Sequence, residues 1–401
     1  MKTNLSDLAI FGGTPAFENT LHVGSPNIGD RKLLMKRIND LLDRKWLTND
    51  GLFVQEFEHR ICKLLGVKHC IATCNGTIAL EIAIRAAGLT GEVIIPSFTF
   101  IATAHSLQWQ EITPVFCDSS KEQLTIDVSK IEALITPRTT GIIGVHLWGR
   151  PCNIDVLKDI AEKHKLKLLF DASHAFSCTY KGKMIGNFGL AEVFSFHATK
   201  FINSFEGGAV VTNNDEFAEK IRLMRNFGFA DYDDVIYIGT NGKMNEISAA
   251  MGITSLESLD NFVSVNKANY QKYKKELMNI PGIKLLQYNN KDKANYQFIV
   301  VLVEEEMFQL SRDDLYHILK TENIFARRYF YPGCHKMEPY RSYFPHAGLL
   351  LPQTEKLLEQ VLCFPTGTAI HEKDISKICK VIKYSAKNAN SIQKWLQTKK
   401  R

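Results

Sequence analysis

Short apolar runs alternate with longer amphipathic segments through the first half of the chain. The apolar runs cover residues 69–73, 92–97, 114–118, 140–147, 166–171, 193–197 and 209–212. Between them, segments such as 77–87 and 154–164 repeat their apolar positions at helical spacing. This alternation predicts βαβ units, and therefore an α/β fold with a mainly parallel sheet covered by helices on both faces.

The pattern changes after about residue 245. Long helices are predicted over 246–259 and 266–277, followed by a strand over 296–303 and helices over 311–322 and 372–387. We interpret this second mixed region as a smaller α/β domain. The predicted organisation is an N-terminal segment (1–30), a large domain (31–265) and a small C-terminal domain (266–401).

The composition is that of a globular protein, with 45% hydrophobic and 23% charged residues among 401. The first seven residues lack the apolar stretch of a signal peptide, and no later run is long enough to span a bilayer. The nine cysteines are scattered and form no CxxC pair, which argues against a disulfide framework or a zinc site. We therefore expect a cytoplasmic protein without a membrane segment or a bound metal.

The net charge of +6 is modest, and the basic residues are dispersed except in the tail 394–401. Such a tail is typical of a solvated helix end. The chain has no basic stripe and no recognition motif, so we do not expect nucleic acid as a partner. The positive net charge is also compatible with a negatively charged small-molecule substrate.

Two residues carry the candidate chemistry. Asp171 ends a strongly apolar strand, and Lys200 closes the run Ser-Phe-His-Ala-Thr-Lys at 195–200. A lysine can hold pyridoxal phosphate as a Schiff base, and a carboxylate on a neighbouring strand can keep the pyridine nitrogen protonated. The alternatives are that Asp171 caps a following helix and that Lys200 is a solvated surface charge. The apolar strand and the motif around the lysine favour the cofactor.

Further residues fit the same cofactor. Gly76 and Thr77 open a helix after a strand, where backbone N–H groups and a hydroxyl can hold a phosphate, although a capped turn has the same pattern. Phe100 can stack on the pyridine ring or pack in the core. His174 can reach the phenolic oxygen or play a structural part. Ser195 can donate to the phosphate.

This ordered set resembles the DegT/StrS sugar aminotransferases, a family of fold type I pyridoxal phosphate enzymes. The similarity runs over nearly the whole chain, through motifs at 75–77, 96–100, 171–175, 195–200, 206–208, 239–241, 331–335 and 364–365. The resemblance implies roles for seven residues: Lys200 as the Schiff-base lysine, Asp171 on the pyridine nitrogen, His174 near the phenolic oxygen, Phe100 as the stacking ring, and Gly76, Thr77 and Ser195 on the phosphate.

The resemblance also implies a homodimer with shared active sites, because Asn241 matches a residue that reaches the neighbouring subunit's cofactor phosphate. Trp46, Thr48 and His335 match positions that border the sugar site. The family often has Tyr-Arg where this chain has Gly242-Lys243, so Lys243 is expected to change how the substrate phosphates are held. A related dehydratase branch replaces the lysine by histidine, and Lys200 argues against that branch.

The stretches 8–15 and 24–30 are similar to the branch that makes dTDP-4-amino-4,6-dideoxyglucose. The resemblance implies transfer of an amino group from L-glutamate to a nucleotide-linked 4-keto-6-deoxy sugar. Amination at C3 of a 3-keto sugar, or use of a UDP-linked sugar, stays open. The alternative to an enzyme is a regulatory protein that has the same fold but no catalytic activity.

Overall fold

The structure, a computed structural model, describes Lys2 and residues 4–399. Met1, Thr3, Lys400 and Arg401 lie outside the described residues, and so do the last two positions of the basic tail. A seven-stranded sheet and a three-stranded sheet form the two centres of the molecule.

The secondary-structure elements follow one another along the whole described chain. The strands are β1 (Leu21–His22), β2 (His69–Thr73), β3 (Glu92–Pro96), β4 (Thr113–Cys117), β5 (Thr139–Val145), β6 (Lys167–Asp171), β7 (Thr179–Tyr180), β8 (Lys183–Met184), β9 (Ala191–Ser195), β10 (Gly208–Thr212), β11 (Phe229–Asp231), β12 (Asp234–Val235), β13 (Ile283–Leu285), β14 (Ile299–Val303), β15 (Ile324–Phe325) and β16 (Val361–Phe364). The α-helices are α1 (Arg31–Arg44), α2 (Leu52–Leu65), α3 (Gly76–Ala86), α4 (Ile101–Gln108), α5 (Ile154–Lys163), α6 (Asp215–Arg225), α7 (Glu246–Glu257), α8 (Leu259–Leu277), α9 (Glu305–Phe308), α10 (Arg312–Thr321), α11 (Tyr340–Tyr343), α12 (Pro352–Gln360), α13 (Glu372–Lys387) and α14 (Ala389–Lys399). Short 3-10 helices lie at Leu5–Asp7, Ala9–Phe11, Val128–Lys130, Glu132–Leu134, Cys334–Lys336 and Ala347–Leu350.

The large sheet has the strand order β2-β10-β9-β6-β5-β3-β4. Its seven strands correspond to the seven apolar runs of the sequence, and the prediction of an α/β fold with a mainly parallel sheet is confirmed. Only β10 runs against the others, because it pairs antiparallel with both β2 and β9. The carboxyl ends of the other six strands therefore meet at one edge.

Side chains from the central strands fill the hydrophobic clusters on both faces of this sheet. Ile142 and Leu168 belong to one cluster, with α2, α5 and α7. Their neighbours Ile143 and Leu169 belong to the other, with α3, α4 and α6. Successive side chains of a strand point to opposite faces, so burial on both sides requires the continuous apolar runs seen in the sequence.

The second core surrounds the three-stranded sheet β13-β14-β16 and includes α8, α10 and α13. Helix α8 begins earlier than predicted, and its Phe262 packs in the first core while Tyr270 and Tyr273 pack in the second. One continuous helix thus crosses the predicted boundary near residue 265. The division into three segments stays a prediction.

Strand β14 begins at Ile299, three residues later than the sequence predicts. Tyr296 has φ of 51°, a left-handed conformation that does not continue a strand. No helix among the described residues combines the length and the apolar character needed to cross a bilayer.

The N-terminal segment packs on the second core, where Leu8, Ile10 and Phe17 are buried. Strand β1 pairs in parallel with β15 and extends that region towards the edge of the large sheet. The buried carboxylate of Glu322, at the end of α10, accepts hydrogen bonds from the N–H groups of Ala9 and Ala16 at 2.8 and 2.7 Å. This carboxylate therefore holds the N-terminal segment to the second core.

We expect Glu322→Ala to lower the free energy of unfolding by roughly 2–4 kcal/mol, because it leaves the N–H groups of Ala9 and Ala16 without their acceptor and removes the ion pair with Lys2. Urea denaturation of wild type and variant measures the difference. Glu306→Ala, an exposed position on α9, serves as control and should change it by less than about 0.5 kcal/mol. Equal losses in the two variants would contradict the role of Glu322.

Candidate active site

A cavity of about 590 Å³ opens at the carboxyl edge of the large sheet. Strands β6 and β9 end there in Asp171 and Ser195, and the segments after β2, β3 and β5 complete its floor. Ligands of open α/β sheets bind at this edge. The seven residues predicted to hold the cofactor all line the cavity: Gly76, Thr77, Phe100, Asp171, His174, Ser195 and Lys200.

The N-terminus of α3 forms one end of the cavity. Asn75 caps this helix by accepting from the N–H of Ile78 at 2.9 Å, so the cap is not Thr77. The first N–H groups of a helix have no partner within it and favour an anion. Gly76 lies so close to Ser195 that a Cβ on Gly76 would be 3.0 Å from the Cβ of Ser195. This end has the donors that a phosphate requires.

Asp171 is buried and its carboxylate is oriented by two donors. Oδ2 accepts from Thr103 Oγ1 at 2.9 Å, and Oδ1 accepts from the N–H of Ser173 at 3.1 Å. Thr103 lies in α4 and bonds in turn to Thr99 at 3.0 Å. The alternative that Asp171 caps a helix is wrong, because a turn follows β6. The carboxylate is therefore held in place for a cationic partner in the cavity.

Lys200 lies in the loop that follows β9, which we call the lysine loop (residues 196–204). Its N–H donates to the carbonyl of His197 at 2.8 Å. Burial lowers the pKa of the Lys200 ammonium to about 8, and the nearby charge of Asp171 opposes this shift. More of the amine is therefore neutral at a given pH than in an exposed lysine.

His174 lies beside Lys200 with its ring between aromatic side chains. Its centroid is 4.4 Å from that of Phe298 and 5.7 Å from that of Phe330. Burial lowers the pKa of His174 well below its usual value, and the charge of Lys200 lowers it further. The backbone N–H of Trp148 donates to Nδ1 at 3.3 Å, so the neutral ring has its proton on Nε2. His174 is therefore a hydrogen-bond donor at the cavity wall.

The other predicted residues do not line the cavity of their own chain. Asn241, Trp46 and Thr48 are exposed, and Lys243 is half-buried. These positions are neighbours, since the N–H of Glu246 donates to the carbonyl of Leu47 at 3.0 Å.

Lys243 donates from Nζ to Asn226 Oδ1 at 2.7 Å, and its ammonium lies 4.7 Å from the centre of the Phe227 ring. Burial lowers the pKa of Lys243, and the charge of Arg225 lowers it further.

His335 is buried behind the wall of the cavity. Its Nδ1 lies 2.7 Å from Ser97 Oγ, and its Nε2 lies 2.6 Å from Glu355 Oε1. Burial lowers the pKa of His335 against the opposing effect of Glu355. Both ring nitrogens are thus used inside the protein, and the predicted place of His335 at the sugar site stays a prediction.

The structure adds residues that the sequence did not indicate. Thr103 bonds to Asp171 although β5 separates β3, which precedes its helix, from β6. The segment after β15 supplies Arg327, Tyr329 and Phe330 to the wall, and the N-terminal segment supplies residues 23–24. The sequence shows a threonine three residues after Phe100. That this Thr103 bonds to Asp171 depends on the order of the strands in the sheet, which the sequence does not show.

A family model described as the DegT/DnrJ/EryC1/StrS aminotransferase family matches residues 29–383. The chain belongs to this family. The DegT/StrS resemblance seen in the sequence is thereby confirmed, and so are the predictions of an aminotransferase and of pyridoxal phosphate as its cofactor. The helix N-terminus, the oriented carboxylate and the lysine of lowered pKa fit that cofactor.

Individual members of the DegT/StrS family are similar over most of their length. The dTDP-4-amino-4,6-dideoxy-D-glucose transaminase of Escherichia coli is 36% identical over 91% of this chain and 98% of its own. A GDP-perosamine synthase of Caulobacter vibrioides is 34% identical over 84% and 91%. The crystal structure of DesI in the presence of its TDP-sugar product has a TM-score of 0.94 and 45% identity, covering 98% of this chain and 100% of that chain.

The lowered pKa of Lys200 predicts its reactivity in the cofactor-free protein. An amine-acylating reagent reacts with the neutral amine, so labelling of Lys200 should rise with pH around a midpoint near 8. In Asp171→Asn the midpoint should move to lower pH, because the carboxylate that raises the pKa of Lys200 is gone. Mass spectrometry of the labelled peptide gives both midpoints.

The matched control is Asp215→Asn, which removes an exposed carboxylate bonded to Lys68 and His69. It should leave the midpoint of Lys200 unchanged. A midpoint at the ordinary lysine value in the wild type, or equal shifts in both variants, would refute the influence of burial and of Asp171.

Proposed function

We propose that this aminotransferase moves the amino group of L-glutamate to C4 of dTDP-4-keto-6-deoxyglucose, giving dTDP-4-amino-4,6-dideoxyglucose and 2-oxoglutarate. The observation that supports this type of reaction is that Lys200, with its lowered pKa, and Asp171 line the same cavity. Relatives named dTDP-4-amino-4,6-dideoxy-D-glucose transaminases, at 36 and 37% identity, support the choice of sugar.

Pyridoxal phosphate supplies, when bound, a protonated pyridine ring that draws negative charge away from a substrate carbon. In our proposal Asp171 holds the proton on the pyridine nitrogen, and Thr103 and Ser173 keep its carboxylate in position. The N–H groups at the start of α3 and the hydroxyl of Ser195 bind the phosphate. Phe100, which is 55% exposed, has a free ring face for stacking.

Lys200 would hold the cofactor through its amine until the amino group of L-glutamate displaces it, and the freed amine moves the proton in both half-reactions. Its Nζ takes a proton from the α-carbon of L-glutamate and passes it to the cofactor; in the second half-reaction it takes a proton back from the cofactor and gives it to C4 of the sugar. A base must be neutral, and the desolvation that lowers the pKa of Lys200 supplies the neutral amine. His174 Nε2 is positioned to donate to the phenolic oxygen from a ring that stays uncharged.

A homodimer with shared active sites is part of the same proposal. Met35 and Leu42, which lie seven residues apart on one side of α1, are exposed apolar side chains, and so is Trp46 in the connection that follows α1. Such a face favours cover by a second copy of the chain. In that dimer Asn241 binds the partner's cofactor phosphate, while Trp46, Thr48, His335 and Lys243 border the sugar and its phosphates.

We place the enzyme in the cytoplasm, where its nucleotide-linked substrate and L-glutamate meet. All nine cysteines are free thiols, as a reducing compartment favours.

The first test replaces the lysine. Lys200→Ala should lose more than about 1,000-fold in turnover, because no other amine can carry the proton. Borohydride reduction of the wild type followed by peptide mass spectrometry should find the cofactor on Lys200. Lys158→Ala, an exposed lysine paired with Glu162, should keep full activity and the same modified peptide.

Product NMR with a panel of keto sugars decides the substrate. Glutamate and dTDP-4-keto-6-deoxyglucose should give the 4-amino sugar. Amination confined to a dTDP-linked 3-keto sugar, or to a UDP- or GDP-linked sugar, would overturn the choice of substrate and leave the transaminase chemistry intact. Full activity in Lys200→Ala would overturn the mechanism.

Mixed dimers test the shared site. Asn241→Ala and Lys200→Ala should each be inactive or nearly so alone. Refolded together in equal amounts, half of the dimers contain one subunit of each kind, and one of their two sites has both residues intact. About one quarter of wild-type activity should return. If Asn241 served its own subunit's site, the mixture would stay as inactive as its components.

A further inference from the structure

The N-terminal segment crosses directly over the lysine loop. Strand β1 leads into Val23 and Gly24, which line the cavity. Gly24 has φ of 80°, and a Cβ at this position would lie 2.9 Å from the Cβ of Thr199, the residue before Lys200. We call residues 23–27 the strap. The strap and the lysine loop are therefore in close contact next to the reactive amine.

Asn27, at the end of the strap, is 98% buried and bonds to two other parts of the chain. Its Nδ2 donates to the carbonyl of Phe201, the residue after Lys200, at 3.1 Å. Its Oδ1 accepts from the N–H and the hydroxyl of Thr368, at 3.0 and 2.9 Å. The backbone carbonyl of Asn27 accepts from Asn203 Nδ2 at 2.9 Å. One residue thus joins the strap, the lysine loop and the turn before α13.

The side-chain amide of Asn27 suits this position because its nitrogen and its oxygen both form hydrogen bonds. Its donor faces a carbonyl, and its acceptor faces two donors, so an aspartate would put a negative oxygen against the carbonyl of Phe201. A buried donor or acceptor that lacks its hydrogen-bond partner destabilises the folded protein. The chemistry of Asn27 therefore keeps the three segments in a single arrangement.

The lysine loop has a further anchor to the large domain, where Ser255 of α7 donates to the carbonyl of Asn203 at 2.8 Å. The link to the turn that contains Thr368, in contrast, runs through the side chain of Asn27. Phe298 and Phe330, which line the cavity, belong to a further hydrophobic cluster that includes Val300 of β14 and Cys363 of β16. Gln297, another lining residue, also donates from Nε2 to the carbonyl of Thr199 at 3.5 Å, so the position of Lys200 relative to these residues depends on Asn27 together with Gln297.

We propose that Asn27 is a positioning residue that holds the Lys200 amine in place relative to the cavity wall that contains Phe298 and Phe330. The proposal rests on the proposed function of Lys200 as the proton carrier. Since the same amine serves both half-reactions, a displaced lysine loop slows both. Displacements of about 1 Å can cost about 100-fold in rate.

The test uses Asn27→Ala and, as a matched control, Asn269→Ala. Asn269 is also a buried amide, and it bonds to Thr366 and Gly367 of the same turn, but not to the lysine loop. Asn27→Ala should lower kcat about 10- to 100-fold in each half-reaction, with KM for glutamate and for the keto sugar changed by less than about threefold. Asn269→Ala should keep kcat within about threefold of wild type.

A second measurement needs neither cofactor nor substrate. Hydrogen exchange of the cofactor-free protein should show faster exchange in the peptide 197–204 for Asn27→Ala, where the N–H groups of Lys200 and Ser204 are hydrogen-bonded within the loop. Asn269→Ala should leave that peptide unchanged. Asn27→Asp, which keeps the acceptor for Thr368, should accelerate the same exchange.

Equal exchange of this peptide in wild type and in the Asn27 variants would overturn the proposal. So would a kcat that falls equally in the Asn27 and Asn269 variants, which indicates general loss of stability. Failure of the proposed function would give a different result. The wild type would then aminate no keto sugar, while hydrogen exchange of the peptide 197–204 would still be faster in the Asn27 variants.

Discussion

The removal of one amine from water beside a single carboxylate is the constraint on which the rest of the structure depends. Desolvation lowers the pKa of Lys200, and the charge of Asp171 limits how far it falls. A carboxylate in that place must itself be held, which Thr103 and Ser173 do. Phe298 and Phe330 line the same cavity, and they belong to a hydrophobic cluster that contains residues of both sheets, such as Val145 and Val300. The surroundings of the pair therefore come from both halves of the chain, although Asp171 and Lys200 both come from the large sheet and its loops.

The end of the cavity at α3 depends on close backbone approach. A Cβ on Gly208 would lie 2.5–2.6 Å from backbone atoms of Asn75 and Gly76, so a larger residue in β10 would push the start of α3 away. Ser195 packs against Gly76 from the neighbouring strand. The ends of β2, β9 and β10 thus lie next to the first turn of α3, and the small residues Gly76, Ser195 and Gly208 allow this close contact.

The sequence predicted the seven strands of the large sheet because strands buried on both faces must be apolar at nearly every position. The seven residues that it predicts for the cofactor lie together in one cavity, since each ends or follows such a strand, and their individual roles stay predictions. Pairing between distant segments was not predictable. Thr103 reaches Asp171 across an intervening strand, and Asn27 lies in a segment with no periodic pattern. Helix α8 was predicted too short because its first turns belong to a different core from its last.

The reversed direction of β10 has a consequence for how the chain becomes an enzyme during its synthesis. In the described sheet β2 pairs with β10 alone, although most of the large domain separates them in sequence. The ribosome therefore delivers β2 and the start of α3 long before the strand that fixes them. Until Thr212 has emerged, the first turn of α3 lacks the neighbours that hold it against Ser195. The end of the cavity at α3 therefore cannot form before the ribosome has delivered β10.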